Sequence, residues 1–289
     1  IILYVDGADG LSTDSMTYQI GNTACETVEA TEIGKMDEEI YTLILWDNSL
    51  SVMKKHETMI KDILKDTVAN RAGNEKFAIA TLGEEATYVT DYTDDYTVLK
   101  QTIDSIEGED KDAYIVENLY KSIDAFNDMD NCGYKRIILI SDGMDGMEIG
   151  YSRAELDTLI AETNYPIYTL GVLYNDKQTE LQDMFSLSRT TGADYFCLND
   201  VEDMLTVVQA IGKDYSTLQV KATVPVEIMD GSKQNTMLSF TSGSDAVTVQ
   251  TEVTLPFSSL SQGTGEDEEV SEEVSEEVSE EISSEEVVT

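Results

Sequence analysis

The amino-acid sequence predicts an α/β protein with a doubly wound, mostly parallel sheet. Two continuous apolar runs, YTLILW at 41–46 and KRIILIS at 135–141, have the composition of strands that are buried on both faces. From about Tyr41 to Tyr215, apolar runs of this kind alternate with amphipathic helical patterns. This alternation favours parallel strands joined by helices that cover both faces of one sheet.

The elements of the first half follow in a regular order. Helical spacing of apolar residues follows the first strand, and two short β-type runs and two further helical patterns come after it. The expected helix, two strands and two helices lie at 52–71, 76–83, 86–93, 95–106 and 114–126.

The second half repeats the pattern after the second buried strand. Ser152 and Glu155 have the spacing of a capping box that opens a helix. Gly192 has the position of a residue that closes the next helix. The expected helices lie at 153–163, 179–192 and 201–215, and the expected strands at 166–174 and 193–198.

Both ends of the chain have the alternating pattern of short β-strands instead. Neither end could bury a core alone, because a two-stranded ribbon is marginally stable in water. We therefore predict that residues 1–37 and 216–258 pair into one small β-sandwich, and that the α/β block, residues 38–215, is inserted between them.

Residues 259–289 form an acidic low-complexity segment. Its V-S-E-E repeat brings Glu onto Glu at i, i+4, which destabilises a helix in water. An extended, self-repelling and disordered tail is expected. Such a tail fits a spacer to a surface anchor beyond Thr289, and it equally fits a plain disordered tail.

The charge of the chain disfavours several partners. With 18 Lys and Arg against 58 Asp and Glu, the formal net charge is −40. Nucleic acid is not an expected partner, because its binding depends on basic side chains that displace counterions from phosphates. Anionic lipid surfaces are disfavoured for the same reason. No run of about 18 apolar residues occurs, so nothing in this chain is expected to span a bilayer.

Cysteine usage leaves the compartment open. The chain has three cysteines, one histidine and no C-x-x-C, so the motifs of zinc sites and thiol-redox sites are absent. At most one disulfide can form, and which of Cys25, Cys132 and Cys197 would pair is undecided. The chain starts at Ile1 rather than Met, which is compatible with a removed signal peptide.

A candidate metal site follows the first buried strand. Asp47, Ser49 and Ser51 stand at i, i+2 and i+4 and offer a carboxylate and two hydroxyls, the hard oxygen ligands that Mg²⁺ or Ca²⁺ takes. Asp142 follows the second buried strand at the equivalent place. Ligands of open α/β sheets bind at the carboxyl ends of strands, so these four side chains could meet around one cation. Each stretch taken alone also fits an ordinary polar loop.

These residues resemble the metal-ion-dependent adhesion site (MIDAS) of the von Willebrand factor type A (VWA) domain. That site combines a D-x-S-x-S loop, a Thr and a later Asp; Asp47, Ser49 and Ser51 match the loop, and Asp142 matches the later Asp. The resemblance implies that the serines bind the metal directly and the acids mostly through water. It implies Mg²⁺, or Mn²⁺ or Ca²⁺, as the cation, and one position left for an acidic residue of a protein partner.

The resemblance covers about Glu39 to Tyr215 and has one departure. The residue aligned with the family's Thr is Ala113, which has no oxygen to offer. Asp112 or Tyr114 could substitute for it, and we include Asp112 in the candidate ligand set.

Two classes of function follow. The first is an extracellular or cell-surface VWA domain that mediates metal-dependent protein binding or adhesion through a partly degenerate MIDAS. The second is a structural or assembly module in which the site is non-functional. An A-domain subunit of an enzyme complex is a distant third. We expect neither an enzyme nor a small-molecule substrate, because no nucleophile with a paired base is recognisable in the sequence.

Overall fold

The N-terminal part of the protein consists of short strands. The computed structural model describes residues 1–5, 12–26, 28–129, 133–146, 150–242 and 245–257. The first strands are β1 (Ile2–Val5), β2 (Ser12–Ile20), β3 (Thr23–Ala24) and β4 (Val28–Glu32). A short 3₁₀ turn, Ile33–Lys35, leads from them into the α/β block.

The α/β block has the alternation of elements that the sequence predicts. Its first half contains β5 (Ile40–Trp46), α1 (Leu50–Ala69), β6 (Glu75–Thr81), β7 (Thr87–Thr93), α2 (Tyr96–Ser105) and α3 (Ile115–Asn127). Its second half contains β8 (Tyr134–Ser141), α4 (Arg153–Thr163), β9 (Ile167–Gly171), α5 (Gln178–Thr191), β10 (Tyr195–Cys197) and α6 (Met204–Gly212). The capping box of Ser152 and Glu155 is formed, and Gly192 ends α5 in the left-handed conformation.

The six strands of this block form one sheet in the order β10-β9-β8-β5-β6-β7. All neighbours are parallel except β6 and β7. Buried residues form one hydrophobic cluster on the face covered by α1, α2 and α6, and a second on the face covered by α3, α4 and α5. The predicted α/β class with a mostly parallel, doubly wound sheet is confirmed. Trp46 belongs to the first cluster and is fully buried.

Strands from the two ends of the chain pair with each other. The C-terminal strands are β11 (Leu218–Ala222), β12 (Lys233–Ser242) and β13 (Asp245–Thr254). They join the N-terminal strands in two antiparallel sheets, β1-β11-β4 and β13-β12-β2-β3. Tyr18, Val220 and Leu238 belong to a single hydrophobic cluster that draws on both sheets. The domain bounds at 37, 215 and 258 stay predictions, and the acidic tail, residues 259–289, lies outside the described part of the chain.

Within the described ranges, none of the helices is both long and apolar enough to cross a membrane. The thiols of Cys25 and Cys197 are free, and Cys132 lies outside the described residues.

Candidate metal site

Asp47 and Asp142 directly follow two neighbouring strands, at the same end of the sheet. Strands β5 and β8 are parallel neighbours with Trp46 opposite Ile140, so the residues after them lie side by side. The Asp47 N–H donates to the carbonyl of Ile140 across this pair (2.9 Å). The side chains of Asp47 and Asp142 are only 2% and 1% exposed. The topology therefore places both predicted acids together at the carboxyl end of the central strands.

The carboxylate of Asp47 is held by two donors. Its Oδ1 accepts from the Ser49 N–H at 2.9 Å, and its Oδ2 accepts from the Ser141 hydroxyl at 2.7 Å. Burial raises the pKa of Asp47 above its ordinary value; hydrogen bonds from Ser49 and Ser141 oppose this shift, and the nearby charge of Asp142 adds to it. The hydrogen bonds therefore do not fully offset the cost of burying the ionised carboxylate of Asp47. A cation beside Asp47 would stabilise this ionised form.

The two serine hydroxyls lie next to each other at the start of α1. The Oγ atoms of Ser49 and Ser51 are 2.9 Å apart. Ser49 occupies the N-cap position, where a serine hydroxyl commonly accepts a backbone N–H, yet it makes no such bond. Both hydroxyls are therefore available as ligands.

Asp142 has an oxygen without a partner. Its Oδ1 accepts from the Met144 N–H at 3.0 Å, whereas its buried Oδ2 has no hydrogen-bond partner among the described residues. An unsatisfied buried carboxylate oxygen is rare and calls for a physical explanation, such as a bound ion.

Gly143, which follows Asp142, has a φ of 83°, and an added Cβ would lie 2.5 Å from the Glu180 carbonyl oxygen. A side chain at this position would therefore disturb the turn after β8.

These observations fit a divalent cation. Two buried carboxylates and two hydroxyls make the hard oxygen set that Mg²⁺, Mn²⁺ or Ca²⁺ prefers. Within the described residues, no group of three or more His, Cys, Asp and Glu side chains is placed to hold a metal ion. A site here would accordingly draw on the hydroxyls as well as the acids.

Residues 106–114 connect the two loops of the site. The Glu109 N–H donates to the Asn48 carbonyl at 2.8 Å, and the Leu50 N–H donates to the Glu109 carbonyl at 2.9 Å. Further along, the carbonyl of Ala113 accepts from the Gly146 N–H at 2.9 Å. The segment therefore runs from the Asp–Ser loop after β5 to the loop after β8.

Ala113 and its neighbours have different surroundings. Ala113 is 4% exposed and belongs to the hydrophobic cluster under α3, so the position aligned with the family's Thr serves packing. Asp112 is exposed, and Tyr114 is half-buried. A Cβ at Gly146 would lie 2.8 Å from the Asp112 Cβ, which shows how closely the two loops approach. Whether Asp112 is a ligand stays a prediction.

Ser141 is a residue of the site that the sequence motif does not include. This residue is fully buried, donates to Asp47 and accepts from the Gly143 N–H at 3.2 Å. The signal in the sequence was a hydroxyl as the last residue of an otherwise apolar strand, directly before the second acid. Ser141 orients one candidate ligand from the strand that delivers the other.

The central part of the chain is similar to a known protein family. Residues 42–144 match the family model of the von Willebrand factor type A domain. The sequence matches none of the curated proteins with which it was compared.

Several solved structures have a similar fold. Manganese-loaded TRAP protein from Plasmodium vivax is 12% identical, over 80% of this chain and 98% of that chain, with a TM-score of 0.50. Proximal thread matrix protein 1 from the mussel byssus, with a zinc-occupied MIDAS motif, is 17% identical over 68% of this chain and 49% of that chain, also with a TM-score of 0.50. The vWF domain of the type V pilus tip protein Mfa5 from Porphyromonas gingivalis is 11% identical over 61% of this chain and 96% of that chain, with a TM-score of 0.45.

The likeness to the two structures with a TM-score of 0.50 shows the fold alone. The family match at residues 42–144 covers the strands that carry both candidate acids, and the mostly parallel sheet flanked by helices is consistent with the fold of a von Willebrand factor type A domain.

Proposed function

We propose that the protein is a metal-dependent protein-binding module. Asp47, Ser49, Ser51 and Asp142 would hold a divalent cation, Mg²⁺ or else Mn²⁺ or Ca²⁺, at the carboxyl end of the central strands. Bound there, the cation would supply a coordination position for an acidic residue of a partner protein. The observation that carries the proposal is the buried Oδ2 of Asp142, which has no partner among the described residues and lies beside a second buried acid.

The comparisons support this proposal at the level of the fold. A manganese-loaded structure and a structure with a zinc-occupied MIDAS motif share the architecture of this domain. The proposed role is binding and not catalysis, in an extracellular, cell-surface setting, as the resemblance to adhesion sites implies. The proposed partner is a protein, with no small-molecule substrate.

One observation favours a second candidate. Ala113 stands where the family has a Thr, and its methyl group is packed in the hydrophobic cluster. A site with one ligand fewer holds its cation less tightly, so the domain could instead be a structural or assembly module whose site is empty at physiological metal concentrations.

Calorimetry on chelator-treated protein separates the two candidates. Mg²⁺, Mn²⁺ and Ca²⁺ are titrated in turn, and the melting temperature is followed in parallel, because a ligand that binds only the native state stabilises it. We expect binding of at least one cation, and loss of that binding in Ser51→Ala. Ser105→Ala, which removes a hydroxyl that donates to the Thr102 carbonyl, is the matched control and should bind like the parent.

Absence of binding heat and of any melting shift for all three cations would overturn the metal-dependent function and favour the structural module. Equal cation affinity in the parent and in Ser51→Ala would place the binding site elsewhere in the molecule.

A further inference from the structure

The candidate metal site is bordered by exposed acidic side chains. This acidic rim consists of Glu107, Glu109, Asp110, Asp112 and Asp145. Its first members belong to the segment that is hydrogen-bonded to the Asp–Ser loop: the carbonyl of Glu107 accepts from the Asn48 side chain at 2.8 Å. In the loop after β8, Asp145 Oδ2 accepts from the Val116 N–H at the start of α3 (3.1 Å). The rim therefore borders the Asp–Ser loop after β5 and includes one residue of the loop after β8.

Basic residues do little to neutralise the part of the rim that lies in residues 106–114. Lys111 is the only base in residues 106–114, and its Nζ lies 3.0 Å from Glu109 Oε2, so the two charges cancel each other. Within the part of the chain that the structure describes, Glu107, Asp110 and Asp112 form no ion pair with a lysine or arginine. The field around the site is thus negative even before a ligand approaches.

A second observation points to a ligand next to this rim. The buried Asp142 Oδ2 has no partner among the described residues, and it lies beside Asp47 at the same strand ends. A partner that brings a carboxylate to a cation at this place must also bring it past the acidic rim.

We propose that the protein's partner presents its metal-binding Asp or Glu within a cluster of Lys or Arg. The inference rests on the function proposed above and names the chemistry of the partner surface. An acidic residue in a neutral or acidic context would be repelled by the rim, whereas flanking lysines or arginines would pair with the rim carboxylates while the acid meets the cation. Such complementarity acts mainly on the rate and specificity of association and weakens with salt.

Three synthetic peptides test the proposal. Each carries one central Asp, flanked on both sides by two lysines, two serines or two glutamates. Their affinities are measured by calorimetry with Mn²⁺ present and again with a chelator. At about 50 mM salt we expect the lysine-flanked peptide to bind roughly tenfold more tightly than the serine-flanked one, and this advantage to shrink at about 500 mM salt.

Variants that remove carboxylate charges from the rim test whether the rim causes the tighter binding of the lysine-flanked peptide. Glu107→Gln with Asp110→Asn should weaken binding of the lysine-flanked peptide about three- to fivefold at low salt. The matched control is Asp94→Asn with Glu162→Gln, which removes two exposed charges away from the site and should leave the affinity unchanged.

The outcomes distinguish this inference from the proposed function. If Mn²⁺ alone does not bind, the proposed function is wrong, and the inference that rests on it is wrong as well. If Mn²⁺ binds but all three peptides bind equally well, the inference is wrong while the metal site stands. Binding of the lysine-flanked peptide that persists in chelator, or with Asn in place of its central Asp, would show plain charge attraction and would also overturn the inference.

Discussion

At the residue scale, one buried hydroxyl orients a candidate ligand. Ser141 donates to Asp47 Oδ2 in a fully buried setting, so the bond joins a neutral donor to a carboxylate that has little water around it. Hydrogen bonds to charged groups contribute more than bonds between neutral groups. The hydroxyl thus contributes both to stability and to the orientation of the acid.

Replacing Ser141 by Ala should cost about 1.5–3 kcal/mol of unfolding free energy, because Asp47 Oδ2 loses its donor. Urea unfolding of the metal-free protein measures this change. Ser105→Ala, which removes an exposed hydroxyl, should stay within about 0.5 kcal/mol of the parent. Equal unfolding free energies for the two variants would show that the bond to Asp47 contributes nothing.

The candidate ligands could be predicted, and their surroundings could not. Asp47, Ser49 and Ser51 lie within five residues of each other and follow a recognisable buried strand, so local pattern is enough to find them. The role of Ser141 depends on the register between β5 and β8, which local sequence does not specify. The unpartnered oxygen of Asp142 likewise results from which groups the fold brings near it.

Substitutions at Ala113 test whether the missing hydroxyl weakens the site. Ala113→Thr should tighten Mn²⁺ binding severalfold if this position faces the cation, because a hydroxyl adds a ligand without adding charge. Ala113→Val has nearly the same shape without the oxygen and controls for crowding in the hydrophobic cluster. Calorimetry on both variants gives the answer, and equal affinities in the Thr and Val variants would mean that this position does not face the metal. Loss of binding in Asp112→Ala would instead identify Asp112 as a ligand.

The single histidine gives a direct test of the electrostatics of α1. Partial burial and the neighbouring Lys55 lower the pKa of His56 below its ordinary value. The unfolded chain therefore binds a proton more readily than the native protein, so the contribution of His56 to stability is present above the unfolded pKa and is lost as the pH falls through the folded pKa. Because the chain has one histidine, a proton NMR titration of its imidazole should show one midpoint below about 6.5. A midpoint above that value would contradict the local environment described here.

At the element scale, a buried ionic network holds three central strands and α6 together. Arg136 on β8 donates to Glu75 on β6 at 2.7 Å and to the carbonyl of Ile211 in α6 at 2.6 Å. Thr42 on β5 hydrogen-bonds to Glu75, and Tyr215 donates to the same carboxylate at 2.5 Å. The side chains of Arg136 and Glu75 have no exposed surface, and Asp214 gives the guanidinium a second carboxylate at 3.1 Å.

Glu75→Gln should destabilise the protein by about 3 kcal/mol, because the buried guanidinium of Arg136 would lose its fully buried counter-charge and keep the partly exposed Asp214, 3.1 Å away, as its carboxylate partner. The matched control is Glu252→Gln on β13, whose partner Lys233 lies 2.6 Å away on an exposed surface. Exposed ion pairs contribute about 0–1 kcal/mol, so this control should change little. Similar losses in the two variants, measured by urea unfolding, would refute a special role for the buried pair.

The sequence pattern predicts the strand that carries Arg136 but not the residues that bind Arg136. The apolar run around Arg136 predicts a strand buried on both faces, and that strand is present. Two partners of the Arg136 side chain lie 61 and 75 residues away in the chain. Spacing patterns describe a single element. They therefore predict β8 but not the carboxylates that neutralise the charge of Arg136.

At the scale of the whole molecule, the strands from the two ends of the chain, which we call the end strands, contact the α/β block, and so do the segments that connect them to it. The Ile33 N–H donates to the Thr217 carbonyl at 2.9 Å, joining the segment before β5 to the segment after α6. A Cβ at Gly34 would lie 2.9 Å from the Tyr215 Cβ, so these two segments approach more closely than a side chain allows. Near the N-terminus, the rings of Tyr4 and Tyr134 pack edge to face with centroids 5.0 Å apart. The pairing of the ends was expected from their length and pattern, but the strand order was not, since register is a non-local property.

Ile33 tests whether these parts unfold together. Its side chain is fully buried against Ile40 and Tyr134 of the α/β block, although it precedes that block in the chain. Ile33→Ala should therefore cost about 2–5 kcal/mol, whereas Ile2→Ala, at a position that is 42% exposed, should cost much less. The one tryptophan, Trp46, reports on the α/β block, and far-ultraviolet circular dichroism reports on the whole chain, so urea unfolding can be followed by two independent probes. We expect coincident midpoints in the parent and a common downward shift in Ile33→Ala, as a cooperative transition requires. Separate transitions in the parent, or a shift seen by circular dichroism alone, would mean that the end strands and the α/β block unfold as independent units.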